Sequence, residues 1–138
     1  VLGGSDANTS SALNTILYSI GNLLEGVPKF IAAWGMYLFQ SLFNLVVTSN
    51  SGQAALTMPI MAPLSDIVGI SRQIAVLCYQ LGAGFVDAFT PVSASLIGVL
   101  GVARIDWSKW AKFQIKMQAF FFLIGSIIIF MAIAINFQ

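Results

Sequence analysis

Charge disappears from the chain at Phe30 and does not return until Asp66, a run of 36 residues. As one helix that run would measure roughly 54 Å, well beyond a hydrocarbon core of about 30 Å, so it is expected to fold back on itself. The polar residues Thr48, Ser49, Asn50, Ser51, Gly52 and Gln53 mark the turn. An arm over residues 30–47 leads in, and an arm over residues 54–65 with Pro59 and Pro63 leads out. The second arm, at roughly 18 Å, is too short to span. The pattern predicts a re-entrant hairpin over residues 28–68, its tip at 48–53 near the membrane midplane. Two ordinary spans joined by a wet loop are the competing reading.

A second long run, residues 73–103, is interrupted only by Asp87. Pro91 removes a backbone donor and clashes with the carbonyl four residues earlier, which predicts that a helix stops near Phe89 and restarts near Val92. The expected element is a broken transmembrane helix over residues 72–103 with its break at 90–93; a continuous kinked helix is the alternative. Residues 117–135 carry no charge and are long enough to cross, giving a C-terminal transmembrane helix within 107–136. Upstream, Leu13, Ile16, Leu17, Ile20 and Leu24 recur at helical spacing opposite Asn14, Thr15, Asn22 and Glu25. That pattern reads as an interfacial amphipathic helix over residues 11–26, preceded by a loop at 1–10. The fold class is an all-α membrane protein.

Composition narrows the chemistry. The chain is 58% apolar and 8% charged, against roughly 25% charged residues in a soluble domain. Six basic and five acidic residues leave a net charge of +1, too weak a field to gather phosphates, so nucleic acid is not an expected partner. With no His and one Cys, neither a Ser-His or Cys-His nucleophile pair nor a His/Cys zinc site can be built, and an enzyme is not expected. Arg104, Lys109, Lys112 and Lys116 crowd the start of the last span, which predicts that residues 104–116 face the cytoplasm and the C-terminus the outside.

Irregular backbone at membrane depth survives only where it lines protein or a water cavity. Helix ends there present N–H groups with partial positive charge or carbonyls with partial negative charge, so half-helices meeting inside a membrane can hold an anion and a cation together. Thr48, Ser49, Asn50, Ser51 and Gly52 at the first break, and Thr90, Pro91 and Ser93 at the second, are the candidate binding residues. Asp87 joins them as the one acid inside the apolar stretches, with a cation, a cationic substrate group or a proton as its partner. These features point to a secondary transporter. A channel-like or regulatory protein with a fixed filter is the alternative.

The segments TSNSGQAALTMPIMAPLSDIVGISRQIAVL (48–77) and GAGFVDAFTPVSASLIGVLGVARIDWSKW (82–110) resemble the YfcC-like branch of the C4-dicarboxylate anaerobic carrier family, within the ion transporter superfamily. The helix from Ser11 and GVPKFIAAWGMYLFQ fit the same pattern. The resemblance implies small carboxylates or amino acids as what is moved. It implies the C-terminal part of a longer transporter of two inverted repeats, of which this chain is one, so the N-terminal repeat is an expected partner and a homodimer the expected assembly. It also implies a site at Ser49, Asn50, Ser51, Thr90, Pro91 and Ser93. A coupling Na⁺ would lie at Ser49, Asn50, Thr90 and Ser93, or H⁺ would serve instead, with no other cofactor. Ala83 and Asp87 stand where the family commonly carries an acid and an Asn, and PVSA replaces PTSG. The displaced acid shares a helix face with position 83.

Overall fold

The computed structural model describes residues 15, 18, 19 and 26–137. The predicted loop at 1–10 and most of the predicted interfacial helix lie outside the described residues. Of the latter, Thr15, Tyr18 and Ser19 are helical, and the Ser19 hydroxyl donates to the Thr15 carbonyl at 2.9 Å. Five helices follow: α1 (Lys29–Asn44), α2 (Asn50–Val68), α3 (Arg72–Asp87), α4 (Ala94–Ala103) and α5 (Trp107–Ala134).

Helices α1 and α2 form an antiparallel hairpin, but its turn is not where the polar residues alone would put it. Residues 45–49 make the connection, and Asn50 to Gln53 are already the first turn of α2. Ser49 is the reason: its backbone is extended and its Oγ accepts the Gly52 N–H at 3.3 Å, an N-cap that starts the helix inside the polar run. At the far end α2 continues to Val68, through both prolines. Its 19 residues measure about 28 Å, longer than the arm expected over residues 54–65.

The second apolar run is divided as a break rather than a kink. Helix α3 ends at Asp87 and α4 begins at Ala94, with Ser93 as its N-cap accepting from Leu96 N–H. The gap opens two residues before the predicted stop at Phe89 and closes two after the predicted restart at Val92.

Helices α1 and α3 run parallel and in close contact. The Cys78 thiol donates to the Ala33 carbonyl at 3.4 Å, and one step higher Gly82 lies against Gln40 and Ser41. A Cβ on Gly82 would lie 3.0 Å from both Gln40 Cβ and the Ser41 backbone nitrogen, so any larger residue would press α1 and α3 apart. Helix α5 packs antiparallel to α1 through ring contacts: Phe30 with Phe130 at 5.9 Å, Trp34 with Phe122 at 6.1 Å, Tyr37 stacked on Phe122 at 4.9 Å. It meets α3 through Phe85 stacked on Phe121 at 5.2 Å. Gly125 makes room for the Tyr37 ring, whose hydroxyl would contact any added Cβ.

Apart from Asp87 and the α5 lysines Lys112 and Lys116, the described charges fall at two rims. At one, Asp66 and Arg72 join at 2.6 Å, Lys29 reaches over Gly69, and the Ser71 hydroxyl donates to the Phe137 carbonyl. At the other lie Arg104 and the loosely paired Asp106 and Lys109. The band between exposes large apolar side chains outward, among them Leu42, Leu56, Val99, Phe120, Leu123 and Ile127. Among the described residues α5, about 42 Å long with mean hydropathy 2.3 in its most apolar stretch, is the one helix long and apolar enough to cross a membrane.

Candidate functional site

The parallel course of α1 and α3 brings their C-terminal ends, the start of α2 and the α3–α4 break to one end of the bundle. The Tyr79 hydroxyl on α3 fixes this by donating to the Asn50 carbonyl at 2.6 Å, tying the hairpin tip to the broken helix. Opposite dipole ends therefore lie side by side. The N–H groups of the first turn of α2 are electropositive, and the last carbonyls of α1 and α3 are electronegative.

The predicted residues take different places within this end. Ser49, Asn50 and Ser51 are exposed, Thr48 and Gly52 half-buried. Ser49 Oγ is the cap of α2 and lies 3.5 Å from Ser51 Oγ. Thr90 and Ser93 are buried, and both serve the backbone: Thr90 Oγ1 donates to the Val86 carbonyl at 3.0 Å, while Ser93 Oγ caps α4 and contacts Ser95 Oγ at 2.9 Å. Pro91 is exposed. Asp87 sits on the last turn of α3, half-buried, with its Oδ1 shielded and without a donor. Among the described residues no hydrogen bond joins 48–52 to 87–93, so the four residues assigned to Na⁺ are gathered at one end without being linked. Trp107 and Trp110 close that end, their indole N–H groups donating to the carbonyls of Phe89 at 3.3 Å and Ala88 at 3.1 Å. These bonds satisfy carbonyls that the break leaves outside a helical ladder.

Behind the tip lies a feature the sequence reading passed over. Gln40, Asn44, Gln53 and Thr57 are buried together between α1 and α2. Asn44 Nδ2 donates to Gln53 Oε1 at 2.8 Å, Gln53 Nε2 to the Gln40 carbonyl at 2.9 Å and to Gln40 Oε1 at 2.8 Å, and Gln40 Nε2 to Thr57 Oγ1 at 3.0 Å. Thr57 in turn donates to the Gln53 carbonyl at 2.9 Å. The available signal was spacing: Gln40 and Asn44 on the first predicted arm, and Gln53 and Thr57 running from the predicted tip into the second, are i, i+4 pairs.

A groove of about 320 Å³ lined by Arg72, Gln73, Val76, Leu77, Gln80 and Phe137 opens at the opposite rim and contains none of the predicted residues. There the Arg72 guanidinium, hydrogen-bonded through Nε and Nη2, holds the Asp66 carboxyl below the usual carboxylate range. No group of three or more metal-binding side chains of the His, Cys, Asp or Glu type occurs among the described residues.

The family model for the C4-dicarboxylate anaerobic carrier matches residues 4–134. The chain belongs to that family. It is 47% identical over 129 residues to the Escherichia coli protein named "Putative basic amino acid antiporter YfcC", covering 94% of this chain and 26% of the relative. It is 35% identical over 122 residues to an uncharacterized protein of Haemophilus influenzae, covering 88% of this chain and 24% of the relative. The chain thus spans about a quarter of the length of the curated relatives it matches. No solved structure matches it. Family membership makes this a membrane protein of a carrier family, in keeping with its helices and apolar exterior.

Proposed function

We propose that this chain is one repeat of a secondary transporter that moves small carboxylates or amino acids across a cell membrane, and that the tip-and-break end of the bundle is its binding site. The observation that carries this reading is the Tyr79 to Asn50 bond, which supports placing the N-terminal end of α2 beside the C-terminal ends of α1 and α3. A carboxylate would lie against the first-turn N–H groups of α2 with Asn50 and Ser51 beside it. A cationic group or coupling ion would lie toward the carbonyls at the break and Asp87. The name of the Escherichia coli relative favours an amino acid, whose two charges match the two dipole signs; the family name favours a dicarboxylate.

In this reading the hairpin is re-entrant and its tip lies within the membrane. Residues 104–116 face the cytoplasm and the C-terminus the outside, and the rest of the longer protein, including the inverted partner repeat, completes the cavity. Uptake and exchange of arginine, ornithine, succinate and fumarate by the full-length protein in proteoliposomes tests it. At least one of these is expected to be exchanged with saturating kinetics, which a fixed filter would not give. Asn50→Ala and Asp87→Asn are each expected to lower transport more than tenfold without loss of membrane insertion. Wild-type rates in both variants would remove the site, and failure of all four solutes would remove the substrate assignment.

A further inference from the structure

The amide relay behind the tip has a direction, and the direction has an end. The Gln53 and Gln40 backbone carbonyls are acceptors only, so Thr57 must donate to the first and Gln53 Nε2 to the second. Gln40 then presents Nε2 to Thr57 Oγ1 and Oε1 to Gln53, and Gln53 presents Oε1 to Asn44. Turning any amide over would oppose two acceptors or two donors, so Asn44 must face the relay with Nδ2 and turn Oδ1 away from it. That oxygen is buried, on a residue with no exposed surface, and has no donor.

Three buried side-chain polar atoms lack a partner among the described residues: Asn44 Oδ1, Asp87 Oδ1 and Gln118 Oε1. All three are oxygens, and helix registers set them at one height. On α1 and α5, Phe30 pairs with Phe130, Trp34 with Ser126 and Tyr37 with Phe122, one turn up against one turn down. Continued, that register places Gln118 between the levels of Gln40 and Asn44. On α3 and α5, Ser71 meets Phe137 and Phe85 meets Phe121, so Asp87 falls within about a turn of Gln118. Gly82 against Gln40 and Ser41 puts Asp87 and Asn44 at matching height beyond it.

We propose that Asn44, Asp87 and Gln118 form an oxygen layer that binds a monovalent cation, either a small metal ion or the protonated amine or guanidinium of a substrate. A buried acceptor without a donor costs about 1–3 kcal/mol, and three in one layer share a single remedy: one positive group. The layer lies where α1 and α3 both end, so the free carbonyl ends add to the negative potential. One carboxylate and two neutral amide oxygens match a single positive charge and a hard ion, whereas sites for divalent ions are built with more carboxylate. The proposal rests on the reading of this end as the transport site and adds Asn44 and Gln118, which that reading does not use.

The test is the thermal unfolding midpoint of the purified full-length protein in detergent, titrated with NaCl, KCl or arginine hydrochloride, with ionic strength held constant by choline chloride. Wild type is expected to show a saturable rise with at least one of the three. A rise with an alkali ion alone assigns the layer to a coupling ion, and a rise with arginine alone to the substrate. Gln118→Met is expected to raise the half-saturating concentration at least tenfold. Gln118→Glu, which keeps the oxygens and adds charge, is expected to lower it at least threefold, and it serves where the Met variant does not fold. No rise in wild type with any of the three, or unchanged half-saturation in the Gln118 variants, overturns the proposal. If transport still falls in Asn50→Ala and Asp87→Asn, the tip-and-break reading stands without the layer.

Discussion

The contact at Gly82 predicts that two alanine substitutions two residues apart on α3 act with opposite sign. In Gly82→Ala the new methyl would sit 3.0 Å from Gln40 Cβ, 3.0 Å from Ser41 N and 3.2 Å from Ser41 Oγ. Ordinary contacts begin near 3.4 Å, so the neighbours must give by a few tenths of an ångström, and one of the opposing atoms is backbone that cannot rotate away. Overpacking of this kind costs about 1–3 kcal/mol, against which alanine recovers about 1 kcal/mol of helix propensity. A net loss of up to roughly 2 kcal/mol follows. In Gly84→Ala nothing lies within 4 Å of the added methyl, so the propensity gain stands alone. Gly35→Ala on α1, likewise unopposed, is the second control. Unfolding midpoints of the three variants of the full-length protein in one detergent give the comparison, with Gly82→Ala expected below wild type and both controls at or above it. Equal midpoints for Gly82→Ala and Gly84→Ala would mean that α1 and α3 do not meet at this contact, and the matched height of Asn44 and Asp87 would go with it.

Gln53→Leu should lower stability by about 2–4 kcal/mol, because it strands the Asn44 amide N–H and Gln40 Oε1 in a buried place; chemical unfolding of the full-length protein measures it. Arg104 closes α4 in the left-handed region at φ 54°, so Arg104→Gly should raise the unfolding midpoint by the equivalent of about 1 kcal/mol. The Asp66–Arg72 pair depresses a folded-state carboxyl, so its stabilisation is present above the unfolded carboxyl pKa and fades as pH falls through the folded one. Both groups are exposed, and Asp66→Asn should leave the midpoint at neutral pH and high salt unchanged within error.

The coarse organisation was legible because charge placement in a membrane chain is coarse. Lys29, Asp66, Arg72 and Lys116 bracket apolar runs whose lengths dictate folding back, and Pro91 with Thr90 locates the interruption within a few residues. Boundaries were less legible. Polar residues read as loop when water is the assumed surrounding, whereas Asn50 and Gln53 are helical because Ser49 caps them and because Gln53 finds partners across the hairpin. Pro59 and Pro63 argued for a short arm, yet α2 runs through both. A proline withholds one N–H and crowds one carbonyl, a local cost that packing of the flanking turns against α1 and α3 outweighs. The candidate residues at the tip and break stood out by chemical type. Asn44 and Gln118 did not, since an isolated amide in an apolar helix carries no mark of whether its oxygen has a donor.

That difference follows from how polar groups are held in such a bundle. A serine or threonine can return its hydroxyl to the carbonyl one turn back, as Ser41 does to Tyr37, Thr90 to Val86 and Ser126 to Phe122, and so be satisfied within its own helix. A glutamine or asparagine carries two donors and an acceptor at the end of a longer stem, and in an apolar setting it must look to another helix. Gln40, Asn44 and Gln53 do so, and their bonds cross from α1 to α2. The hairpin is thereby held as one unit by polar contacts that lipid cannot replace, while its junction with α3 and α5 consists of ring stacking, glycine contacts and three isolated hydrogen bonds, Cys78 to Ala33, Trp34 to Ser126 and Tyr79 to Asn50, of which Tyr79 alone joins α3 to α2. If one unit shifts against another during transport, the yielding surface is therefore the α2–α3 boundary at Tyr79, not the inside of the hairpin. Tyr79→Phe should accordingly change the rate of solute exchange in proteoliposomes more than it changes the unfolding midpoint, since it removes one hydrogen bond of about 1 kcal/mol at the boundary and leaves the relay whole. A variant equally impaired in both measurements would place the flexible boundary elsewhere.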